Sequence, residues 1–408
     1  MSLPERIVRL GELIAETTPE RLNEAGPHAA VACTLAPSTT VPLRNYSRLD
    51  APAFAPKSRR RFMAPLEYEA QAVRLYALPE VSFFGSAGLF ATGGAFVAES
   101  AAHWRPEAPG GAAELIEAHE IRMGRRLVTG QPTRFDGAWL LAASLYSRNY
   151  YHWTFELLAA AALLARRGML AGLKVLVDRR TTLVEASLGA FGVRSEDIIV
   201  LPADRPVTVE RLVFASCFLS ETPRTHPAMA EAVAALKTSL AAHPPPAPSR
   251  RVFASRGASP LRRLANREAL EAAFAAQGFE VIDPGALSFE EQVRLFDAAD
   301  VVVGEHGANL TNLVYCRPGA LVLELLHPTE MGWGALCFLT LAETRALLHR
   351  SVIGEALEGD GWQVDVAAAL AAWRDAEQRR AAYRDRLKAW RAGAASEEGA
   401  ALALRQAP

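Results

Sequence analysis

The chain has 408 residues, of which 50% are apolar and 22% charged, with a formal net charge of -1 at neutral pH. That balance is of an ordinary folded protein and argues against a dominant nucleic-acid footprint. The length favours two domains over one core. Arginine outnumbers lysine 40 to 4, which reads as genome composition. The four cysteines, Cys33, Cys217, Cys316 and Cys337, form no CxxC or Cys/His cluster. Neither a disulfide framework nor a zinc site is expected, and a reducing, cytoplasmic compartment is favoured. No basic-then-apolar leader follows Met1 and no run of 18 apolar residues exists, so neither a signal peptide nor a membrane span is expected; peripheral attachment at the inner membrane face stays open.

In chain order, residues 1 to about 60 are rich in Pro, Thr, Ser and Ala and read as an irregular arm with one short helix near Pro4–Glu16. From 61 to 145, alternating runs (Ala72–Tyr76, Ala95–Ala98, Ala138–Leu141) separated by glycine pairs read as a β-rich segment. From 149 the period changes. A helix over Asn149–Ala165, a continuous apolar strand Lys174–Asp178, a helix Leu183–Phe191 and strands Ile198–Leu201 and Arg211–Ala215 alternate as a parallel sheet demands. The run His243–Ser249, with consecutive prolines, is the expected linker. A second alternation follows: strand Arg251–Ala254, helix Arg267–Gln277, strand Phe279–Ile282, helix Phe289–Ala298, strand Val301–Val303 and strand Ala320–Leu325. A long helix is expected over 366–394, with Leu370, Trp373, Tyr383, Leu387 and Trp390 near one face. The expected division is an N-terminal domain 1–242, a second Rossmann-like lobe 250–350, and a C-terminal helix within 360–408 packing back on the N-terminal domain.

Two constellations carry chemistry. In the second alternation, the apolar run to Val303 stops at Gly304 and turns through His306-Gly307 into Asn309 and Asn312. Such a strand–turn–helix junction presents backbone N–H groups to an anion, although no GxGxxG dinucleotide fingerprint is present. Ser255 and Arg256 follow a strand directly, and Arg262, Arg263, Asn266 and Glu268 lie shortly after. Guanidinium forks suit phosphate oxygens, and Glu324, on the following strand, suits a ribose diol. In the first alternation, Asn149, His152 and Glu156 stand at i, i+3 and i+7, one polar face of an otherwise apolar helix. His152 with Glu156 one turn on fits a general base oriented by a carboxylate, or the reverse assignment. No paired aspartates stand at a strand end to hold a divalent ion, so no metal is expected.

Together these blocks resemble glycosyltransferase family 61. They are Asn149, His152 and Glu156; Ser255-Arg256 with Arg263, Asn266 and Glu268; Leu287–Gln292; Ala299–Asn312; and Leu323-Glu324, in that order from about Trp139 to Glu324. The resemblance implies a GT-B fold of the α/β class, with two Rossmann-like domains facing a cleft, and an inverting, metal-independent transfer. The sugar would move from a nucleotide-diphosphate donor, a UDP-sugar, to a glycan or lipid-linked glycan acceptor, as in capsular and exopolysaccharide synthesis. It implies that Ser255, Arg256, Arg263, His306, Gly307, Asn309 and Glu324 hold the donor, with Asn266 and Asn312 in the same blocks, and that His152 or Glu156 lies on the acceptor side. Glu156 stands where relatives carry Asp. A sugar-nucleotide epimerase and a non-catalytic nucleotide-sugar-binding protein are the alternative readings.

Overall fold

The computed structural model describes residues 1–19, 21–22, 28–42, 67–86, 88–101, 111–216, 225–240, 249–257, 262–328, 336–359 and 361–393. The proline-rich run expected to be a linker lies outside the described residues except for Ser249. Two units divide the chain: Met1–Thr40 with Glu69–Ala241, and Val41–Tyr68 with Ala242–Pro408, each taken over its described residues.

The first unit is built on a ten-stranded mixed sheet. Its parallel part runs Ile198–Val200, Lys174–Val177, Thr133–Ala142, Val207–Ala215. Val207–Ala215 then pairs antiparallel with the eleven-residue strand Val73–Phe83. The strands expected within Ala72–Tyr76, Ala95–Ala98 and Ala138–Leu141 are present. Two expectations for this region are corrected. The short helix near the N-terminus is only Leu10–Leu13, between strands Arg6–Val8 and Ala15–Glu16. The supposedly irregular arm also contributes Val31–Ala36, which pairs antiparallel with Val73–Phe83. Val31, Ala32, Cys33, Leu35 and Ala36 are buried there, so an almost continuous apolar run reads as a doubly covered strand only once a sheet exists to cover it. The helix expected over Asn149–Ala165 is three segments in one run: Tyr150–His152, a π-helical turn Trp153–Leu158, and Ala159–Arg166. Its Ala- and Leu-rich second half is buried from Ala159 to Leu164 and packs beside helix Met229–Leu240.

The second unit holds a five-stranded, all-parallel sheet in the order Glu280–Ile282, Arg250–Ala254, Ala299–Glu305, Leu321–Leu326, Leu348–Ile353. Counted along this unit the order is 2-1-3-4-5. The chain leaves its first strand to one side and returns to the other, so the carboxyl ends of Arg250–Ala254 and Ala299–Glu305 flank the topological switch point, where open α/β sheets bind ligands. The continuous run Leu321–Leu326 is buried at every position, as a central parallel strand requires. Helix Phe289–Asp297 starts with a capping box: Ser288 caps the Glu291 amide and Glu291 returns to the Ser288 amide. Helix Val366–Gly393 places Ala369, Trp373, Ala376 and Tyr383 in the core formed by Phe253, Phe274, Leu323 and Leu348. Over that stretch it packs on the second unit's own sheet, a correction of the expected return to the N-terminal domain. The apolar face is consumed locally: Trp373 meets Phe274 and Phe279 edge-on, and Tyr383 donates its hydroxyl to the Leu347 carbonyl at 2.9 Å. The Leu387 and Trp390 side chains lie outside the described set. Among the described residues no helix is long and apolar enough to cross a membrane.

Candidate functional site

In the first unit the polar group follows the carboxyl end of Thr133–Ala142. This strand has Lys174–Val177 on one side and the later Val207–Ala215 on the other, so strand order reverses there too. Asn149 is the N-cap of the helix, its side-chain oxygen accepting from the Tyr151 amide at 2.9 Å. That contact gives Asn149 a local structural task, fixing where the helix begins. One turn on, His152 Nδ1 contacts Glu156 Oε1 in a short pair. The second carboxylate oxygen of Glu156 accepts from Ser144 Oγ at 3.2 Å. Glu156 is buried and His152 partly open, with side-chain exposures of 3% and 27%. The imidazole stacks on Tyr146 at 4.8 Å between centroids. Glu156 lies within the π-helical turn, where the Ala159 amide reaches back five residues to the Thr154 carbonyl. Single π turns interrupt helices mostly at functional positions. The arrangement is an imidazole held through Nδ1 and stacked on one face.

In the second unit the loops at the switch point are tied together. Ser255 is buried, its amide donating to the Ile282 carbonyl at 2.8 Å. Asn309 donates its side-chain amide to the Ser255 carbonyl at 2.6 Å, which bridges the ends of two strands. Arg256 donates to the His306 carbonyl at 3.3 Å and lies flat against Gly307. A Cβ at Gly307 would sit 3.2 Å from the Arg256 guanidinium carbon, and the φ of +152° there also disfavours any side chain. Gly304 is equally constrained, since a Cβ would meet Leu310 at 2.9 Å and the Ala254 carbonyl at 3.1 Å. The 3-10 helix Ala308–Tyr315 begins at Gly307 with no side-chain cap, leaving its first amides available to an anion.

Beneath this loop lies a buried His–Glu–His row. Glu324, fully enclosed, meets His306 Nδ1 through Oε1 at 2.5 Å and His349 Nε2 through Oε2 at 2.8 Å. Burial alone would raise its pKa, but the two imidazole hydrogen bonds and their charge outweigh that and hold it at about 2. Both of its oxygens are engaged by imidazoles, and these contacts fix the orientation of His306. A second buried ion pair lies alongside. Arg267 Nε meets Glu305 Oε1 at 2.6 Å and also holds the Gly257 carbonyl. Removing one partner of such a pair costs about 3–5 kcal/mol.

The remaining candidates divide. Asn266 engages the Val364 backbone through both its amide nitrogen and its oxygen, donating at 2.7 Å and accepting at 3.2 Å. Asn312 is buried and donates to the Gln292 side chain at 2.9 Å. Both hold loops in place and neither is presented to a ligand by these contacts. Arg263 has an exposed side chain while its carbonyl accepts from the Trp362 amide at 3.1 Å. The structure thus brings Ser255, Arg256, His306, Gly307 and Asn309 together, with Glu324 behind them. His349, Arg267, Glu305 and Ser144 were not foreseen. Glu305 adjoins His306 in sequence, but nothing local signals that it is buried and paired with an arginine 38 residues earlier.

No curated protein matches the chain. Residues 150–323 match the family model described as Glycosyltransferase 61, a segment that begins one residue after Asn149 and ends one residue before Glu324. That segment, which contains His152, Glu156 and the whole Ser255–Asn309 cluster, is similar to glycosyltransferase family 61 and supports a glycosyltransferase.

Proposed function

We propose that this glycosyltransferase inverts the anomeric centre of a nucleoside-diphosphate sugar, a UDP-sugar on the family resemblance, as it passes the sugar to a glycan or lipid-linked glycan acceptor. The carrying observation is that each unit places its polar constellation at the reversal of its own strand order, one basic and rich in backbone amides, the other an oriented histidine. In this reading His152 Nε2 takes the acceptor hydroxyl proton while Glu156, holding Nδ1, stabilises the imidazolium that results. The acceptor oxygen forms its bond to C1 as the bond from C1 to the diphosphate oxygen breaks. Arg256, His306 and the uncapped amides after Gly307 take up the charge on the departing diphosphate, the part a divalent ion plays in other transferases. The more exposed member of the His–Glu pair is assigned as the base because the buried carboxylate has both oxygens engaged.

The test has two arms. A thermal-shift screen with UDP-, GDP-, CMP- and TDP-sugars is expected to give stabilisation by at least one donor, about 2.7 kcal/mol at a hundredfold over Kd. With that donor, His152→Ala and Glu156→Ala are expected to lose about 10²–10⁴ in turnover while keeping the thermal shift. Near-native turnover in both variants rejects the base assignment, and a flat response to every donor rejects the donor site.

A further inference from the structure

We propose that Asp283 reads the ribose of the donor, so that the site selects ribonucleoside-diphosphate sugars over 2′-deoxynucleoside-diphosphate sugars; this rests on the donor-site reading above. Asp283 follows the strand Glu280–Ile282 directly, beside Arg250–Ala254 at the carboxyl edge of the sheet. In doubly wound sheets a carboxylate at the end of the strand neighbouring the phosphate-binding loop is placed to accept from ribose hydroxyls. The contacts here fit that geometry. Oδ1 accepts from the Gly285 amide at 2.9 Å, which fixes the carboxylate's orientation. Oδ2 lies against the loop that continues from Ser255 and Arg256: a Cβ on Gly257 would come within 2.5 Å of it, and Gly257 has a left-handed φ of +54°. Only glycine there lets the carboxylate rest against the phosphate-side loop.

Elimination sharpens the assignment. Of the other carboxylates on neighbouring strands, Glu305 is engaged by Arg267 and Glu324 by His306 and His349, both fully buried. Asp283 is partly exposed, and among the described residues its Oδ2 accepts no hydrogen bond. One oxygen anchored and the other turned to the loop is the pre-organised acceptor that a hydroxyl needs.

Titration calorimetry of the full chain with UDP, GDP and CDP, and with the 2′-deoxy counterpart of each, tests this. The wild type is expected to bind its preferred ribonucleotide roughly ten- to a hundredfold more tightly than the deoxy form, the range for one hydrogen bond to a charged group. Asp283→Ala is expected to bring the two affinities together by weakening the ribonucleotide. If Asp283→Ala unfolds, Asp283→Asn, which keeps an oxygen for the Gly285 amide, is expected to narrow the ratio as well. Equal affinities in the wild type overturn the proposal, as does a wild-type ratio retained in the folded variants, and either leaves the donor site standing. Binding of none of the six nucleotides by the wild type overturns the donor site itself and this assignment with it.

Discussion

Glu324 ties an electrostatic choice to a functional one. Its carboxylate is fully buried, and only the two imidazoles make its charge tolerable. A folded pKa of about 2, below the unfolded carboxylate value, means that its contribution is complete above about pH 4.3 and is lost as pH falls towards 2. The size is on the order of 3 kcal/mol. Glu324→Gln is therefore expected to be less stable than wild type at neutral pH and to show a flatter fall in melting temperature between about pH 4 and 2. Melting curves across that range check it; parallel acid limbs would contradict it. The same substitution leaves one acceptor oxygen for two imidazoles and loosens the hold on His306, so nucleotide affinity is expected to fall while the far-ultraviolet spectrum is unchanged. On the first unit, the His152–Glu156 contact was legible from i, i+4 spacing alone. Which of the two is exposed was not, because exposure is set by Ser144 and Tyr146, which pack there from the loop after the preceding strand.

At the scale of elements, the parallel strands were visible as β-branched or leucine-rich runs, since burial on both faces leaves no alternation to misread. The π-helical turn was invisible. Trp153–Leu158 has no composition that distinguishes it from the α-helix it interrupts, and only the Ala159-to-Thr154 hydrogen bond reveals it. Helix Val366–Gly393 was readable as a helix, but its partner was not: Ala369, Trp373 and Tyr383 specify an apolar face and not which sheet receives it. Trp373 is the main anchor, held edge-on by Phe274 and Phe279 with the Arg251 guanidinium 5.5 Å from its ring centroid. Trp373→Ala is expected to cost about 3 kcal/mol or more through the cavity it leaves, lowering the melting temperature measurably. An unchanged melting temperature would show that the helix does not carry the core of the second unit.

For the whole molecule, the donor-site reading predicts where a nucleotide acts. With a bound nucleoside diphosphate, amide hydrogen exchange is expected to slow in peptides covering 254–257, 281–285 and 304–312, the carboxyl edge of the second sheet. Peptides from the buried middle of Val366–Gly393 are expected to be unaffected. Slowing confined to the helix, with the strand-end peptides unchanged, would place the nucleotide elsewhere. Strand identity along 133–326 followed from local pattern. The membership of Val31–Ala36 in the first sheet did not, because strand pairing between residues 37 to 46 apart is a non-local event.

The sequence by itself determined the chemistry available: which histidines, arginines, glycines and carboxylates stand at the ends of which strands, since apolar run length and turn residues are local properties. Tertiary structure alone decided how those groups are used. It enclosed Glu324 between His306 and His349, spent Asn266 and Asn312 on backbone and side-chain contacts within the fold, and left Asp283 at the edge beside Gly257. The reason is physical: burial and hydrogen-bond occupancy depend on neighbours brought from distant parts of the chain, and a carboxylate is a ligand contact or a positioning group according to whether its oxygens are already taken.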